Sequence, residues 1–395
     1  MFRPQVILKP TNLAFLALFA AAWVLGLLGL YQRLVFGHQL ASYGSYAVWG
    51  LWVASYIYFV GLSAGAFLVS SLFYVFKVKA LERIGRLSLF VALTTLIMAV
   101  LVIWFDIGHM ERVSFFFLRP NFTSMMNNMI WMYNAYFLVL LAELILVMGT
   151  WPSWGSRLVT ILGTIGVPLA VMFHGGVGAL FAVVGARPYW YTSIVPILFL
   201  AGALLSGSAL LTFIVAFLSP NKDGEHKSIV TYLGRLVLAL ALIYLLLEWS
   251  EISVPLWSTW AGSYGGHVES LRLALFGPYW WVFWIVHIGI GMIVPIAVLF
   301  FKRDSVKAIG LSSLIIALTF MTTRLNIVIP ALVVAELAGL EAAYFDKRLQ
   351  FSYVPSFSEW LLVLFVVDVG ILLFLSGTRL LPITSSRKLW GERKQ

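Results

Sequence analysis

Cysteine is absent from the 395 residues of this chain, and only 11% of the residues are charged. The absence of cysteine excludes disulfide bonds, catalysis by a thiolate and any iron–sulfur cluster ligated by the chain itself. The scarcity of charge excludes an ordinary soluble domain, in which about a quarter of the residues are charged. Hydrophobic residues make up 62% of the chain and lie in long runs. Such runs predict a polytopic, all-α integral membrane protein, whereas a β-barrel would show short segments of alternating polarity.

The apolar runs are long enough to cross a bilayer ten times. No cleavable signal peptide is expected, because the first run is long enough to span and lacks a small-residue cleavage site. The spans use almost the whole chain, so we expect a single polytopic membrane domain, residues 1–395, without a soluble catalytic domain. The predicted spans are 13–36, 47–76, 87–105, 124–149, 157–174, 192–218, 231–253, 278–301, 308–335 and 357–380.

Basic residues are distributed unevenly between the two sides of this arrangement. Of the 26 Lys and Arg residues, 18 lie on the side of the chain termini, 7 lie on the opposite side and Arg324 lies within a span. The positive-inside rule therefore predicts that both termini are cytoplasmic. Because the net charge of +10 is mostly a signal of topology, we expect the lipid bilayer as a partner and no nucleic acid.

A weak internal repeat links two spans. Residues 62–68 read LSAGAFL and residues 205–211 read LSGSALL, and small residues at this spacing let membrane helices pack closely. We therefore predict two four-helix bundles of the same orientation, formed by spans two to five within 47–185 and by spans six to nine within 192–335. The first span and the last span, 357–380, would then be peripheral.

One polar run interrupts the apolar sequence, beginning at Phe173-His174-Gly175-Gly176 and closing with Arg187. We expect the two glycines to end the helix, because glycine is common just beyond a helix C-terminus. Residues 177–186 would then form an apolar cover leading to Arg187. The alternative is that His174 bonds a free carbonyl at a helix end and binds nothing else.

Counting residues from the basic end of each span estimates the depth of its polar groups, at about 1.5 Å per residue. By this count Tyr56, Asp106 and His174 lie about 31, 30 and 26 Å from the basic side, near the far edge of a hydrocarbon core about 30 Å thick. We therefore predict one pocket near the side opposite the termini, although Asp106 as a simple interfacial residue is an alternative. The polar groups predicted to gather there are Tyr56, Asp106, His109, Asn121, Ser124 and His174.

The second half of the chain carries ionisable residues at a similar depth. An arginine within a span is unfavourable unless it faces the protein interior with a partner, so we expect Arg324 to form an ion pair with Glu248 or Glu251. That pair is either purely structural or part of a proton path.

Three further ionisable residues lie deeper within their spans. Glu143 and Asp368 are either solvated by internal water or take part in proton transfer. For His287, a packed histidine with a single hydrogen bond is the simpler interpretation.

The predicted pocket combines an imidazole, a phenol and a carboxylate, which suits a molecule that carries both electrons and protons. A quinone head group fits, because its carbonyls need hydrogen-bond donors and its reduction needs protons. Haem is not expected, because membrane cytochromes need histidine pairs at matched depth on facing helices. Only His287 lies clearly within a span, and His174 lies near a span end.

The same residues carry a resemblance to a known family. The chain resembles the ten-span form of the NrfD/PsrC family of quinone-reactive membrane subunits, which includes polysulfide-reductase and hydrogenase-2 types. The resemblance covers nearly the whole chain, and its strength lies in the order of the motifs. The motifs are RLVFG at 33–37, WGLW at 49–52, GLSAG at 61–65, DIG at 106–108, PNFTS at 120–124, HGG at 174–176, ARPYW at 186–190, TRL at 323–325 and RLLPI at 379–383.

This resemblance implies a location in the prokaryotic cytoplasmic membrane and two kinds of partner. One is a periplasmic-side subunit with four iron–sulfur clusters, which agrees with the lack of cysteine here. The other is a catalytic subunit such as a molybdopterin enzyme, a hydrogenase or a multihaem cytochrome c.

The resemblance also implies roles for particular residues. Asp106 matches the family's acidic residue at the end of its span, and Ser124 matches a hydroxyl at the start of the next. His174 stands where polysulfide-reductase-type members have a quinone-contacting tyrosine, and Tyr56 stands where they have a histidine. The positions at which ten-span members have a proposed proton route are Glu143, Glu251, Arg324 and Asp368.

We therefore predict the quinone-binding subunit of a respiratory oxidoreductase complex, not catalytic by itself, with menaquinone as the expected quinone and without haem or an iron–sulfur cluster of its own. A secondary transporter is an alternative that inverted repeats would favour, and a passive anchor is another that needs no intramembrane charge. The predicted quinone contacts are His174, Tyr56, Asp106, Ser124, Asn121 and Arg187. The predicted proton path toward the cytoplasm consists of Glu143, Glu248, Glu251, Arg324 and Asp368.

Overall fold

The computed structural model describes residues 13–149, 151–219, 222–260, 265–337, 339–343, 346 and 349–383. In that part of the chain every regular element is helical, and ten helices are long and apolar enough to cross a membrane, as predicted. The helices are α1 Leu13–Phe36, α2 Leu51–Tyr74, α3 Gly85–Asp106, α4 Phe115–Leu118, α5 Met125–Met148, α6 Ser153–Ala182, α7 Val195–Leu218, α8 Gly224–Trp260, α9 Gly266–Leu275, a π-helix Val282–Ile293 that continues into α10 Val294–Phe301, α11 Val306–Leu332, α12 Leu340–Ala343 and α13 Phe357–Leu380.

The ten long helices alternate in direction, which gives the molecule two faces. We call the face where α1 begins and α13 ends the terminal face, and the other the opposite face. Contacts between connections agree with this assignment: Arg83 pairs with Asp223 at the terminal face, and Arg187 pairs with Glu336 at the opposite face. The terminal residues predicted to be cytoplasmic lie outside the described ranges.

Two helices form the centre of the helix packing. Helix α2 packs against α3, α6 and α7, and α7 packs against α6, α8 and α11. Helix α1 lies mainly on α13, and α13 in turn lies on α3. The division into two four-helix bundles stays a prediction.

The two segments that suggested the repeat lie against each other where α2 crosses α7. A Cβ atom on Gly207 would lie 2.6 Å from Gly65 Cα and 2.7 Å from Leu62 O, so glycine is required for this approach. Small residues at a crossing allow the close backbone contact that drives helix association in lipid. The sequence likeness therefore marks the central helix contact of the fold.

Helix α6 runs without a break from Ser153 to Ala182, so the prediction that Gly175 and Gly176 end it is wrong. The predicted cover after them is also wrong, because its first six residues are helical. Lipid offers no partner for freed backbone groups, so a membrane helix continues through glycine unless protein replaces the lost hydrogen bonds. Gly176 instead serves packing, since a Cβ there would lie 2.6 Å from Met129 Cε.

The start of α13 is fixed by a reciprocal cap. Ser356 Oγ accepts a hydrogen bond from Glu359 N at 3.2 Å, and Glu359 Oε2 accepts one from Ser356 N at 2.9 Å. The same carboxylate accepts from Ser42 N at 3.0 Å, which joins the connection after α1 to the start of α13. This capping box therefore places the last helix relative to the first.

Replacing Ser356 with alanine is expected to lower the free energy of unfolding by about 1 kcal/mol, because one N-cap hydrogen bond is lost. Thermal unfolding of the purified chain in one detergent measures the change. Ser250→Ala is the matched control, since among the described residues that hydroxyl bonds Leu246 O within α8 and caps no helix. Equal effects of the two substitutions would contradict the assigned cap.

Candidate functional site

His174 is fully buried where α2, α6, α7 and α11 meet. It lies eight residues before the end of α6 at Ala182, so about 12 Å below that end. Its predicted depth in the bilayer stays a prediction. Its Nε2 lies 2.9 Å from the carbonyl oxygen of Phe199. Since a carbonyl only accepts, Nε2 carries the proton, and Nδ1 is the lone-pair acceptor of the neutral ring. Among the described residues, Nδ1 has no partner.

Arg324 reaches the same carbonyl from α11. Its Nη2 donates to Phe199 O at 3.4 Å, and its guanidinium carbon lies 4.7 Å from the ring centre of Phe199 and 5.1 Å from that of Phe320. Two glycines leave space for these side chains. A Cβ on Gly61 would lie 3.4 Å from His174 Cε1, and a Cβ on Gly202 would lie 2.9 Å from Arg324 Nη2. The site thus joins residues from both halves of the chain around one shared acceptor.

The predicted ion pair of Arg324 is wrong, because both carboxylates have other partners. Glu248 lies 2.9 Å from His287 Nε2. Glu251 accepts from Thr192 Oγ1 at 3.0 Å and lies 3.8 Å from His267 Nε2. Within the described residues, Arg324 Nε and Nη1 have no hydrogen-bond partner.

His287 occupies the middle of the π-helix, and both of its ring nitrogens are engaged. Nε2 faces Glu248, and Nδ1 lies 2.9 Å from Thr323 Oγ1. The interpretation of His287 as a singly bonded packing residue is therefore wrong. A π-helix is rare and frequent at functional sites, and no simple sequence periodicity announces it.

A small cavity of about 50 Å³ lies beside this pair. Its walls include Phe199, and its polar lining includes Glu248, Glu251, Thr323, Asn326 and the phenols of Tyr189 and Tyr244. The cavity therefore connects the surroundings of His287 with the residue that bonds His174.

Asp106 belongs to a separate group at the opposite-face end of α3. It accepts a hydrogen bond from Tyr43 Oη at 3.3 Å, and the same phenol lies 3.1 Å from His38 Nδ1. Burial, together with the positive charge of Arg33, lowers the pKa of His38 to about 4, so its ring is neutral at pH 7. Burial and the nearby Asp106 raise the pKa of Tyr43. Because the Tyr43 hydroxyl donates its hydrogen to Asp106, His38 Nδ1–H is the donor in the bond to Tyr43 Oη. Among the described residues, His38 Nε2 has no hydrogen-bond partner.

Helix α2 separates this group from His174. Trp52 packs edge-on against His38 and Tyr43, whereas Gly61 faces His174. Nine residues separate Trp52 from Gly61, which turns the helix face by about 180°. The expectation of one pocket at one level is therefore wrong, since it merges two groups.

The remaining predicted quinone contacts have local roles or lie elsewhere. Ser124 caps α5 by accepting from Asn127 N, and Asn121 Oδ1 accepts from Thr123 N at 3.1 Å in the preceding turn. Tyr56 is a partly buried residue of α2 that packs against the hydrophobic core.

Arg187 lines a different cavity, of about 520 Å³, at the opposite face. It donates to Ala331 O at 3.1 Å and to Val334 O at 3.0 Å, and it pairs with Glu336 at 3.0 Å. This arrangement ties the connection after α6 to the end of α11 and leaves Arg187 apart from His174.

Two predicted proton-path residues stand alone. Glu143 is 1% exposed near the terminal-face end of α5, and neither of its carboxylate oxygens has a partner among the described residues. Asp368 is equally buried near the middle of α13, where a Cβ on Gly26 of α1 would lie 3.1 Å from its Oδ2. Neither residue contacts the Glu248–His287 pair. Within the described ranges, no group of three or more His, Asp or Glu is arranged to hold a metal ion.

Comparison with known proteins agrees with this architecture. A selenate reductase subunit of Mesobacillus selenatarsenatis is 34% identical over 96% of this chain and 94% of that protein. The Hdr-like menaquinol oxidoreductase integral membrane subunit of Archaeoglobus fulgidus is 26% identical over 95% and 94%. The menaquinone reductase integral membrane subunit of Nitratidesulfovibrio vulgaris is 25% identical over 57% and 59%. The family model described as polysulphide reductase, NrfD, matches residues 39–336, so this chain belongs to the NrfD family of membrane proteins.

Proposed function

We propose that this chain is the quinone-interacting membrane subunit of an oxidoreductase complex, and that it passes electrons from menaquinol to a partner subunit. The observation that carries the proposal is His174, a fully buried imidazole whose Nδ1 has no described partner, inside a protein of this family. Relatives whose names include menaquinol oxidoreductase and menaquinone reductase support a quinone as the substrate.

The tautomer of His174 favours the quinol form of the substrate. With Nε2–H bonded to Phe199 O, the ring offers an acceptor at Nδ1, and the hydroxyl of a quinol supplies the matching donor. Oxidation of one quinol releases two electrons and two protons. The electrons go to an iron–sulfur cluster of the partner, because this chain has no cysteine with which to ligate one.

The partners in this proposal bind at the opposite face. The cavity of about 520 Å³ beside Arg187 and Glu336 supplies a polar, charged recess there. The proposed partners are an iron–sulfur subunit of the four-cluster kind and a catalytic subunit, for which a molybdopterin enzyme, a hydrogenase and a multihaem cytochrome c are the candidates. The relative that is named as part of a selenate reductase favours a terminal reductase as that catalytic subunit.

Proton coupling is part of the proposal, and the structure groups its residues unevenly. Glu248, Glu251 and Arg324 border one region near His174. Glu143 and Asp368 are isolated carboxyls, and each is a candidate for a separate proton path to the terminal face. A passive anchor needs none of these buried ionisable groups, which are unfavourable in lipid.

Replacing His174 with phenylalanine is expected to weaken menaquinol binding by about 5- to 150-fold, since one hydrogen bond to a buried group is lost. Quenching of tryptophan fluorescence by a menaquinol analogue measures the dissociation constant of the purified chain.

The matched control is His226→Phe, at the terminal face. His226 is also buried, and its Nε2 bonds a carbonyl oxygen, that of Val215, at 3.0 Å. Binding by this variant should stay within about twofold of the original. Equal affinity of the His174→Phe and His226→Phe chains would overturn the assignment of the site.

A further inference from the structure

The His287–Glu248 pair is a built site that holding a quinone at His174 does not require. His287 is 1% exposed, and the side chain of Glu248 is 13% exposed. The pair lies in the second half of the chain, between the π-helix, α8 and α11. With Nε2–H directed at the carboxylate and Nδ1 accepting from Thr323, the ring can gain a proton at Nδ1 and lose one from Nε2 to Glu248.

The size of the adjacent cavity indicates what it holds. At about 50 Å³ it is far below the several hundred Å³ of a typical small-molecule pocket, yet it has room for water. Water in such a site needs polar partners, and Glu248, Glu251 and Thr323 supply them. Asn326 supplies a further one, because its Nδ2 is buried without a partner among the described residues.

The cavity has a polar connection at each end. At one end lies Phe199, whose carbonyl oxygen is shared by His174 and Arg324. At the other end Glu251 bonds Thr192 and lies 3.8 Å from His267, which belongs to the opposite-face helix α9. The polar groups therefore extend from the neighbourhood of the proposed quinone site to the opposite face.

No comparable set of ionisable groups leads to the terminal face through the described parts of the same helices. The sequence has no Asp, Glu, His, Lys or Arg in α7 Val195–Leu218, in α10 Val294–Phe301, or in residues 308–323 of α11. Residues 236–243 of α8 are wholly apolar as well. Protons at the His287–Glu248 pair thus face a region without ionisable side chains on the side of the terminal face, and ionisable groups on the side of the opposite face.

We propose that protons released from quinol at His174 leave through the second half of the chain to the opposite face, by way of His287, Glu248, cavity water and Glu251. This proposal rests on the proposed function. For each quinol oxidised, two electrons pass to the iron–sulfur partner and two protons pass singly along this route. Each proton reaches His287 Nδ1 through the hydroxyl of Thr323 and leaves from Nε2 to Glu248, which gives the Nδ1–H tautomer of the ring. A flip of the imidazole and a reorientation of the Thr323 hydroxyl then restore the starting state, and the proton departs past Glu251. Arg324 stands beside the route as a fixed positive charge.

The test uses the assembled complex in sealed vesicles, oxidising menaquinol with an artificial electron acceptor. His287→Gln and Glu248→Gln are expected to lower kcat at least about tenfold, since proton transfer by a positioned side chain contributes about 10² or more. KM and menaquinol affinity should stay within about twofold, because the quinone site is intact. Glu248→Asp should recover part of the rate, and a membrane-impermeant pH dye should detect the protons on the side of the opposite face. His226→Gln, outside the route, is the control.

The outcomes separate this route from the proposed function. The route would be overturned if His287→Gln and Glu248→Gln both kept the kcat and the solvent isotope effect of the wild-type complex. Proton release on the side of the terminal face would overturn it as well. Loss of menaquinol binding in both variants would also overturn it, because the pair would then act structurally. A wild-type chain that binds no menaquinol contradicts the proposed function itself. Infrared difference spectra add an independent readout. The carboxyl band of Glu248 is the one that disappears in Glu248→Gln. That band should shift in frequency in His287→Gln and in D₂O.

Discussion

Replacing Arg324 with methionine is expected to lower quinol turnover at least about 100-fold, because a preorganised charge beside the reacting group is removed. The same substitution should leave the chain as stable as before or more stable. Arg324 is 1% exposed, and its only hydrogen bond within the described residues is the 3.4 Å contact to Phe199 O. A buried cation with so few partners destabilises the fold. The free-energy cost of an arginine at the centre of a membrane helix is roughly 2.5–3.5 kcal/mol. A residue that weakens the fold and is nevertheless central to the helix junction is best explained by function.

Arg33→Met is the matched comparison for this prediction. Arg33 is also buried, but its Nε donates to Phe105 O at 2.6 Å and its Nη2 donates to Ile107 O at 2.9 Å. Its removal leaves two carbonyls at the end of α3 unsatisfied, which costs about 1–3 kcal/mol for each. Thermal unfolding and menaquinol turnover of both variants provide the measurement. A larger loss of stability in Arg324→Met than in Arg33→Met, with normal turnover, would show that Arg324 is structural.

The ten spans were predictable because lipid imposes one requirement on every crossing helix, an apolar run of sufficient length. The same requirement explains why the predicted helix end after His174 was wrong. Two consecutive glycines end many helices in water, but in lipid they become sites of close packing, as Gly176 does beside Met129. A rule drawn from soluble helix ends therefore ended α6 too early, since the helix continues to Ala182.

The pairing of charged residues was harder to predict than their burial. The sequence correctly indicates that Arg324 faces the interior, because a lone arginine cannot face lipid. Its expected partner was wrong, because pairing depends on how α8 and α11 are rotated about their axes. The π-helix then turns His287 toward Glu248 and removes that carboxylate from Arg324. Hydropathy carries no information about either rotation.

The group around Asp106 was not predicted, for a different reason. Tyr43 and His38 lie in a connection rather than a span, and depth counting applies only to residues within spans. A signal was available, since a histidine and a tyrosine in a short polar connection beside the conspicuous WGLW segment are candidates for burial. Which helix they cover depends on long-range packing, and a single sequence does not specify that.

Gly207→Ala is expected to prevent stable folding, or to lower the free energy of unfolding by at least about 3 kcal/mol. The added Cβ would meet Gly65 Cα at 2.6 Å and Ala66 N at 2.7 Å, and both are backbone atoms that no side-chain rotation can move. Helices α2 and α7 would have to separate, and with them the surroundings of Gly61 and Gly202 that hold His174 and Arg324. In lipid the hydrophobic effect does not bring the helices back together, since close packing is itself the main source of their association.

Gly175→Ala is the control, and it should change stability in the opposite direction. A Cβ on Gly175 meets nothing within 4 Å, so the substitution adds helix propensity, about 1 kcal/mol in favour of alanine, without a clash. The two variants therefore exchange the same atoms in neighbouring membrane helices and differ only in what surrounds the new methyl group. Expression in membranes, followed by thermal unfolding in detergent, compares them directly. If Gly207→Ala were as stable as Gly175→Ala, the α2–α7 crossing would not be the contact that positions the site, and the placement of His174 beside Arg324 would need another cause.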